Sequence, residues 1–311
     1  MEIFNNINTI TKNKCVLALG NFDGVHTGHK LLIQRAKEIA SKNGFLSGIY
    51  TFAVNSKLVL NAESLRLLTT DSEKNNIFSS LGIDFVCYDD FNLIKDISPE
   101  EFCDYLAHNT GVKVVVCGDN FTFGRFACAN SSDLKSMMNK RGIGCEIVKC
   151  SKFDGLDVSS TVIRKLLADG DTDKAAALLG YRYFIEAEVV HGARLGHTLG
   201  FPTINQKLYG GKVVPAYGVY LCMCSFDGES HPGVVNVGVK PTVSTAESTD
   251  VVFETNILDF NGDLYGKTVK LEFYGMLRRE QKFPSLDALK EAVLQNIKEA
   301  RDYFGKDSKL Q

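Results

Sequence analysis

Two runs in this chain hold residues whose types and spacing suit chemistry on phosphate groups. The first is Gly20-Asn21-Phe22-Asp23-Gly24-Val25-His26-Thr27-Gly28-His29, between an apolar run and a helix-like one. Gly20 and Gly24 let a ligand come close to the main chain, and the free N–H groups at a helix start attract anions. His26 and His29 lie three apart, on one side of the first helical turn. Imidazoles there can donate hydrogen bonds to phosphate oxygens that gain charge as an α-phosphate is attacked, with no covalent intermediate. The plainer alternative is a tight strand-to-helix turn with two solvated histidines. A partner run, Val158-Ser159-Ser160-Thr161-Val162-Ile163-Arg164, leads into a helix expected over Val162 to Ala168. Its hydroxyls can cap that helix and also reach phosphate, and Arg164 can clamp it. An ordinary Ser/Thr cap is the competing reading.

The second run is Gly192-Ala193-Arg194-Leu195-Gly196-His197-Thr198-Leu199-Gly200-Phe201-Pro202-Thr203-Ile204-Asn205. Glycines at 192, 196 and 200 suit a flap over phosphates. Pro202 fixes the backbone ahead of Thr203 and Asn205, whose side-chain oxygens are hard donors suited to Mg²⁺. A glycine-rich hairpin needs no Pro-Thr-x-Asn, which weighs against that simpler account. Downstream lie Gly233 to Thr242, Phe253-Glu254-Thr255-Asn256-Ile257-Leu258-Asp259 and Asp263-Leu264-Tyr265-Gly266-Lys267. Glu254 is an acid in an otherwise apolar strand. Alone it reads as an outward-facing barrel residue; the surrounding pattern makes it a general-base candidate instead.

The elements that must position these residues fall into two textures. From Cys15 to about Leu179, strands at Cys15 to Leu19, Leu46 to Phe52, Ile83 to Tyr88 and Val112 to Cys117 alternate with helices. The helices are read at Lys30 to Ser41, from Asp71, and at Pro99 to Ala107 with Ser98 as N-cap and Glu101 completing a capping box. That alternation implies βαβ units and a parallel sheet. After Tyr181 come strands at Ile185 to Val190, Tyr217 to Met223, Gly233 to Val239, Val251 to Leu258 and Val269 to Phe273, separated by turn residues. That pattern favours a closed barrel or a sandwich. Asn261-Gly262 suits the positive φ of a tight turn, and Leu286 to Tyr303 reads as a closing helix. The shift predicts domains at 1–180 and 181–311.

Composition narrows the function classes. The chain has 311 residues, enough for two cores, 44% hydrophobic and 23% charged residues, and a formal net charge of −2. No Lys/Arg block suggests nucleic acid or a membrane surface, and no apolar stretch approaches a membrane span. Nine cysteines, without a C-x-x-C pair, argue against a disulfide framework; reduced thiols and a cytoplasmic setting are the expectation. The N-terminus carries no signal-peptide pattern.

The His26-x-Gly28-His29 run with Ser159 to Arg164 resembles the H-x-G-H nucleotidyltransferase superfamily. With the second run, Glu254 and Leu277-Arg278-Arg279-Glu280-Gln281-Lys282-Phe283, the chain from about Cys15 to Arg301 resembles the prokaryotic bifunctional riboflavin kinase/FMN adenylyltransferase family. The resemblance implies an α/β plus β fold: an N-terminal Rossmann-like nucleotidyltransferase domain and a C-terminal flavokinase-type β-barrel with a terminal helix. It implies ATP and Mg²⁺, riboflavin and FMN as substrates, and FMN and FAD as products. It assigns ATP or phosphate binding to Gly20, Phe22, Asp23, Gly24, His26, Gly28, His29, Ser159, Ser160 and Thr161 in the first domain. In the second it assigns Gly192, Gly196, Gly200 and Thr203 to that role, and Thr203 and Asn205 to the metal. Glu254, His29 and Arg164 are the implied catalytic residues, and Asn120, Phe123, Arg278 and Glu280 the flavin contacts. The family usually has Asp/Glu-Pro-His-Pro after Thr51-Phe52; this chain has Ala53-Val54-Asn55-Ser56. Three functions follow: both activities, the kinase alone on a degenerate first domain, or a flavin-sensing regulator, for which a base at Glu254 would be superfluous.

Overall fold

The computed structural model describes residues 1–10, 13–53, 66–149, 152–192, 200–208, 211–239 and 251–307. They form two compact units, Met1–Val162 and Ile163–Gln311.

The first unit is a six-stranded, all-parallel sheet. Its strands are β1 (Glu2–Phe4), β2 (Cys15–Leu19), β3 (Leu46–Phe52), β4 (Phe85–Asp89), β5 (Val112–Gly118) and, after a short hairpin of β6 (Thr122–Phe123) and β7 (Ala129–Asn130), β8 (Gly144–Val148), in the order β1-β4-β3-β2-β5-β8. The central strand β2 is buried along its whole length because apolar residues fill both faces. Helices α1 (Thr27–Asn43), α2 (Asp71–Ser80), α3 (Pro99–Asn109) and α4 (Ser131–Lys140) cover the sheet and seal two cores, one around Leu17 and Phe102, the other around Val16 and Phe78. Capping boxes at Thr70/Glu73 and Ser98/Glu101 start α2 and α3. The edge strands β1 and β8 have no counterpart in the sequence reading. One is three residues long, and the other mixes Gly144 and Glu146 with apolar residues.

The second unit begins with the end of α5 (Ser160–Asp169) and α6 (Thr172–Leu179). Strands β11 (Phe184–Val190), β12 (Ile204–Lys207), β13 (Gly218–Phe226), β14 (Glu229–Val239), β15 (Val251–Ile257) and β16 (Thr268–Arg279) then close into an antiparallel barrel ordered β11-β12-β15-β14-β13-β16; a hairpin of β9 (Lys152–Phe153) and β10 (Leu156–Asp157) precedes them in the first unit. Strand β16 runs six residues beyond the expected Phe273, through bulges opposite Tyr220, and so carries Arg278 into the sheet. The turn after β15 takes its positive φ at Asp259 (55°), not at Asn261-Gly262. Helix α7 (Leu286–Asp307) lays Ile297, Ala300 and Phe304 against Val219, Leu221 and Val234 on the outer barrel face.

Candidate active sites

In the parallel sheet, β3, β4 and β1 lie to one side of β2, and β5 and β8 to the other. Ligands in such sheets bind beyond the strand C-termini at this switch point. The chain leaves β2 there through Gly20–His29, and leaves β5 through Asp119 and Asn120.

The Gly20–His29 loop is held from several sides. The Gly20 N–H donates to the Tyr50 carbonyl at 3.3 Å. The backbone then enters the left-handed region at Phe22 (φ 49°), Gly24 (80°) and Val25 (34°). For the two non-glycines this conformation costs of order 1–3 kcal/mol each; both side chains are fully buried, and Phe22 packs edge-on against Phe78. Asp23 Oδ1 accepts from the N–H groups of Leu68 (2.9 Å) and Thr69 (3.2 Å). The Gly24 N–H donates to Thr69 Oγ1 (2.9 Å), and Ser160 Oγ donates to the Asp23 carbonyl (2.9 Å). Asp23 and Ser160 therefore shape the loop through main-chain contacts, a role that the sequence pattern did not disclose.

His26 is the N-cap of α1: its Nδ1 accepts from the His29 N–H at 3.3 Å. An accepting nitrogen carries no proton, so the neutral ring bears its proton on Nε2, where it can donate. The two imidazoles stack with centroids 3.5 Å apart and planes 13° apart. Burial pushes His26 down to about 4, and burial together with His26 holds His29 well below the usual histidine range. Both are neutral donors at pH 7. Only 6% of His26 is exposed, and His29 Nδ1 is buried without a partner, so the alternative of two solvated histidines fails. A Cβ on Gly28 would stand 3.3 Å from His26 Nδ1, which explains the glycine beneath the ring.

Ser159 Oγ accepts from the Val162 N–H at 3.3 Å, a cap for α5, whereas Thr161 is exposed. Arg164 lies one turn beyond Ser160 on that helix, half-buried, in the second compact unit. Asn120 is exposed. Phe123 lies in the core, with its ring 5.4 Å from Phe102 and 5.9 Å from the half-buried Phe121. The Ala53 N–H donates to the Asp89 carbonyl, and Val54, Asn55 and Ser56 lie outside the described residues.

The second site is assembled by strand register. Asn205 on β12 pairs with Glu254 on β15, Glu254 with Asn236 on β14, Asn236 with Val219 on β13, and Val219 with Arg278 on β16. Directly opposed residues share a face, so one row crosses five strands on the outside of the barrel. The inner face takes Gln206, Phe253, Thr255, Val235, Tyr220 and Phe273, all fully buried. Asn205 is 5% exposed; a Cβ on Gly192 would lie 2.3 Å from its Nδ2 and 2.5 Å from its Oδ1, so a side chain there would displace the amide. Asn256 Nδ2 donates to the Pro202 carbonyl at 2.8 Å and fixes the approach to the half-buried Thr203. Gly200 sits at φ 88°, and Gly196 lies outside the described residues. Arg278 Nε donates to the buried Asn296 Oδ1 at 3.1 Å, the guanidinium stands over Phe283, and burial lowers its pKa. A Cβ on Gly238 would meet Glu280 Oε1 at 3.1 Å and Asn236 Nδ2 at 3.6 Å, which places Glu280 beside the row. Thr203, Asn205, Glu254, Arg278 and Glu280 are expected from the sequence; Asn236, Asn256 and Asn296 are not, although Asn236 is a polar residue in an apolar strand, the same signal that marks Glu254. Among the described residues no group of three or more His, Cys, Asp or Glu is placed to hold a metal.

Fold and sites together define a nucleotide-handling chain in which a Rossmann-like nucleotidyltransferase sheet is joined to a flavokinase-type barrel. Residues 8–162 match the FAD synthetase family and residues 179–304 the riboflavin kinase family. Proteins described as bifunctional riboflavin kinase/FMN adenylyltransferase are similar over nearly the whole length. The one from Bacillus subtilis (strain 168) is 35% identical over 94% of this chain and 93% of its own. The one from Pseudomonas fluorescens is 37% identical over 92% of both, and that of Escherichia coli (strain K12) 34% over 96% of both. The chain belongs to the bifunctional riboflavin kinase/FMN adenylyltransferase family. A Streptococcus pneumoniae crystal structure described as a macrolide-efflux protein also superposes, with a TM-score of 0.87, 28% identity and coverage of 96% and 98% of the two chains. That description concerns the other protein; among the described residues here, no helix is long and apolar enough to cross a membrane.

Proposed function

We propose that the barrel phosphorylates riboflavin with ATP to give FMN and ADP, and that the parallel sheet adenylylates FMN with a second ATP to give FAD and pyrophosphate. The observation that carries the bifunctional reading over a kinase alone is the stacked, neutral His26/His29 pair at the switch point of the first unit. The FMN phosphate is already anionic and needs no base to attack the α-phosphate. His26 Nε2–H and the imidazole of His29 donate to the oxygens that gain charge, with the α1 N-terminus adding its positive end. Ser159, Thr161 and Arg164 are assigned to the same phosphates, and Asn120 and Phe123 to the flavin side.

In the barrel, Glu254 takes the proton of the ribityl 5′-hydroxyl as that oxygen attacks the γ-phosphate. Positioning and charge neutralisation supply most of the acceleration. Thr203 and Asn205 fit Mg²⁺: both offer neutral hard oxygens, and Gly192 clears the space around the Asn205 amide. Two neutral ligands would hold Mg²⁺ weakly, so the ion would be bound together with ATP phosphates and would supply charge neutralisation there. Gly192, Gly196 and Gly200 are assigned to the phosphate flap, and Arg278 and Glu280 to the flavin.

We divide the activities at Gly180. Helix α6 packs on β16, and Thr172 Oγ1 donates to the Tyr274 carbonyl. Fragments beginning at 163 and at 181 therefore test whether the kinase needs that helix. The setting is assigned to the cytoplasm on the free state of the eight described cysteines. With a net charge of −2, nucleic acid is not proposed as a partner. Incubating the full chain with riboflavin, ATP and Mg²⁺ and following products over time is the decisive experiment. FMN followed by FAD and pyrophosphate supports both halves; FMN that accumulates without FAD removes the second.

A further inference from the structure

The row on the outer barrel face contains one polar side chain with no part in the reaction as described. Asn236 stands beside Glu254 on the side opposite Asn205. It is half-buried, and its side-chain amide makes no hydrogen bond among the described residues. Its Nδ2 lies over Gly238, where the Glu280 carboxylate also approaches. A larger residue at Gly238 would close that space. Val219, the next member of the row, is buried and packs with the core under α7. The polar track therefore runs from Asn205 through Glu254 to Asn236 and turns at Gly238 toward Glu280.

We propose that Asn236 is a specificity residue that hydrogen-bonds a secondary hydroxyl of the ribityl chain and so aligns the 5′-hydroxyl with Glu254. The assignment rests on the kinase reading above. The phosphate side of the site is fixed by Asn205, so the acceptor must lie on the other side of Glu254. Neighbouring strands are about 4.8 Å apart, which places Asn236 within reach of a hydroxyl a few carbons from the one that reacts. A carboxamide both donates and accepts, and so can satisfy a hydroxyl in either sense. An alkyl chain in the same place would leave that half-buried amide unpaired, which gives the site a means of rejecting acceptors that lack the polyol.

The test compares riboflavin with 10-(5-hydroxypentyl)isoalloxazine, which keeps the ring and the terminal hydroxyl and lacks the three secondary ones. Steady-state phosphorylation is measured with the full-length protein and with Asn236→Ala. The wild type is expected to prefer riboflavin by roughly 10-fold or more in kcat/KM, the worth of one such hydrogen bond. The variant is expected to lose about that factor in kcat/KM on riboflavin, with kcat falling as well as KM rising because the 5′-hydroxyl is no longer aligned, and to stay within about 2-fold of wild type on the analogue. Collapse of the preference supports the assignment. An equal loss on both acceptors assigns Asn236 to the scaffold and overturns it, as does a wild type without preference. Asn236→Val, similar in shape and favourable in a strand, provides the same comparison if the alanine variant does not fold; turnover of the analogue, which needs the same barrel, reports folding in both. Absence of any riboflavin turnover by the wild type would remove the kinase reading itself and this assignment with it, an outcome distinct from turnover with unaltered preference.

Discussion

The two sites are built in opposite ways. At the end of β2, ten consecutive residues supply the loop that we assign to phosphate, and the loop's own groups stabilise one another: His26 caps the helix that carries His29, and Phe22 fills the space beside it. On the barrel, no two of Asn205, Asn236, Glu254 and Arg278 are close in sequence, and the register of five strands aligns them. In the first site the stretch from Phe22 to His26 is buried, His29 is half-buried, and burial shifts both imidazoles. The second lies on an outer face and depends on cross-strand alignment. Damage to the first should therefore couple to pH and to local folding, and damage to the second should appear as misplacement of single groups.

Glu254→Gln gives the largest contrast. The amide preserves shape but accepts no proton, so riboflavin phosphorylation should fall by on the order of 10³-fold, with adenylylation of supplied FMN unchanged. Near-normal phosphorylation would remove Glu254 as the base.

Acid stability should separate the sites next. His26 is held from 6.5 down to about 4 by burial. Between those values the unfolded chain binds more protons than the folded one, so this contribution to stability is complete above pH 6.5 and is lost as pH falls toward 4, by about 3 kcal/mol. Urea midpoints at pH 7 and pH 4.5 measure it. His26→Asn, which keeps a capping side chain, should lose distinctly less stability on acidification than the wild type; identical losses would contradict the burial account.

How much of this was legible in the sequence follows from the same contrast. The His26-x-Gly28-His29 run and the Ser98/Glu101 box are local, and they were readable because spacing alone fixes their geometry. Helix α1 starts three residues earlier than Lys30 because a histidine, not a Ser or Asp, is its cap, and Gly28 disguised the first turn. Asp23 and Ser160 stood within recognised motifs, yet their structural partners lie 45 and 137 residues away. Asn236 and the extension of β16 to Arg279 were hidden for a related reason. The row depends on how strands pair, and the bulges opposite Tyr220 break the alternation from which the strand's length would be read.

His29→Ala sharpens the comparison from the other side. It removes one donor from the stacked pair while the Thr27–Asn43 helix keeps its cap. FMN adenylylation should fall by on the order of 100-fold, and riboflavin phosphorylation should stay within about 2-fold. Equal losses in both activities would mean that the two sites are not energetically separate.

Gly192→Ala should give the smallest effect and the most local one. Its backbone needs no glycine conformation; the constraint is contact, because the added Cβ would overlap the Asn205 amide at 2.3–2.5 Å. Asn205 is 5% exposed and cannot swing into solvent, so the amide must move by about an ångström or the Gly192 segment must lift. A shift of that size in a metal-side ligand should cost the kinase roughly 10-fold, seen as a higher Mg²⁺ concentration for half-maximal rate. Extra Mg²⁺ should recover most of the loss, since the group is displaced and not deleted. Adenylylation, served by a different unit, should not change. A variant with an unaltered Mg²⁺ requirement would show that Asn205 tolerates displacement, and the assignment of that amide to the metal would fall with it.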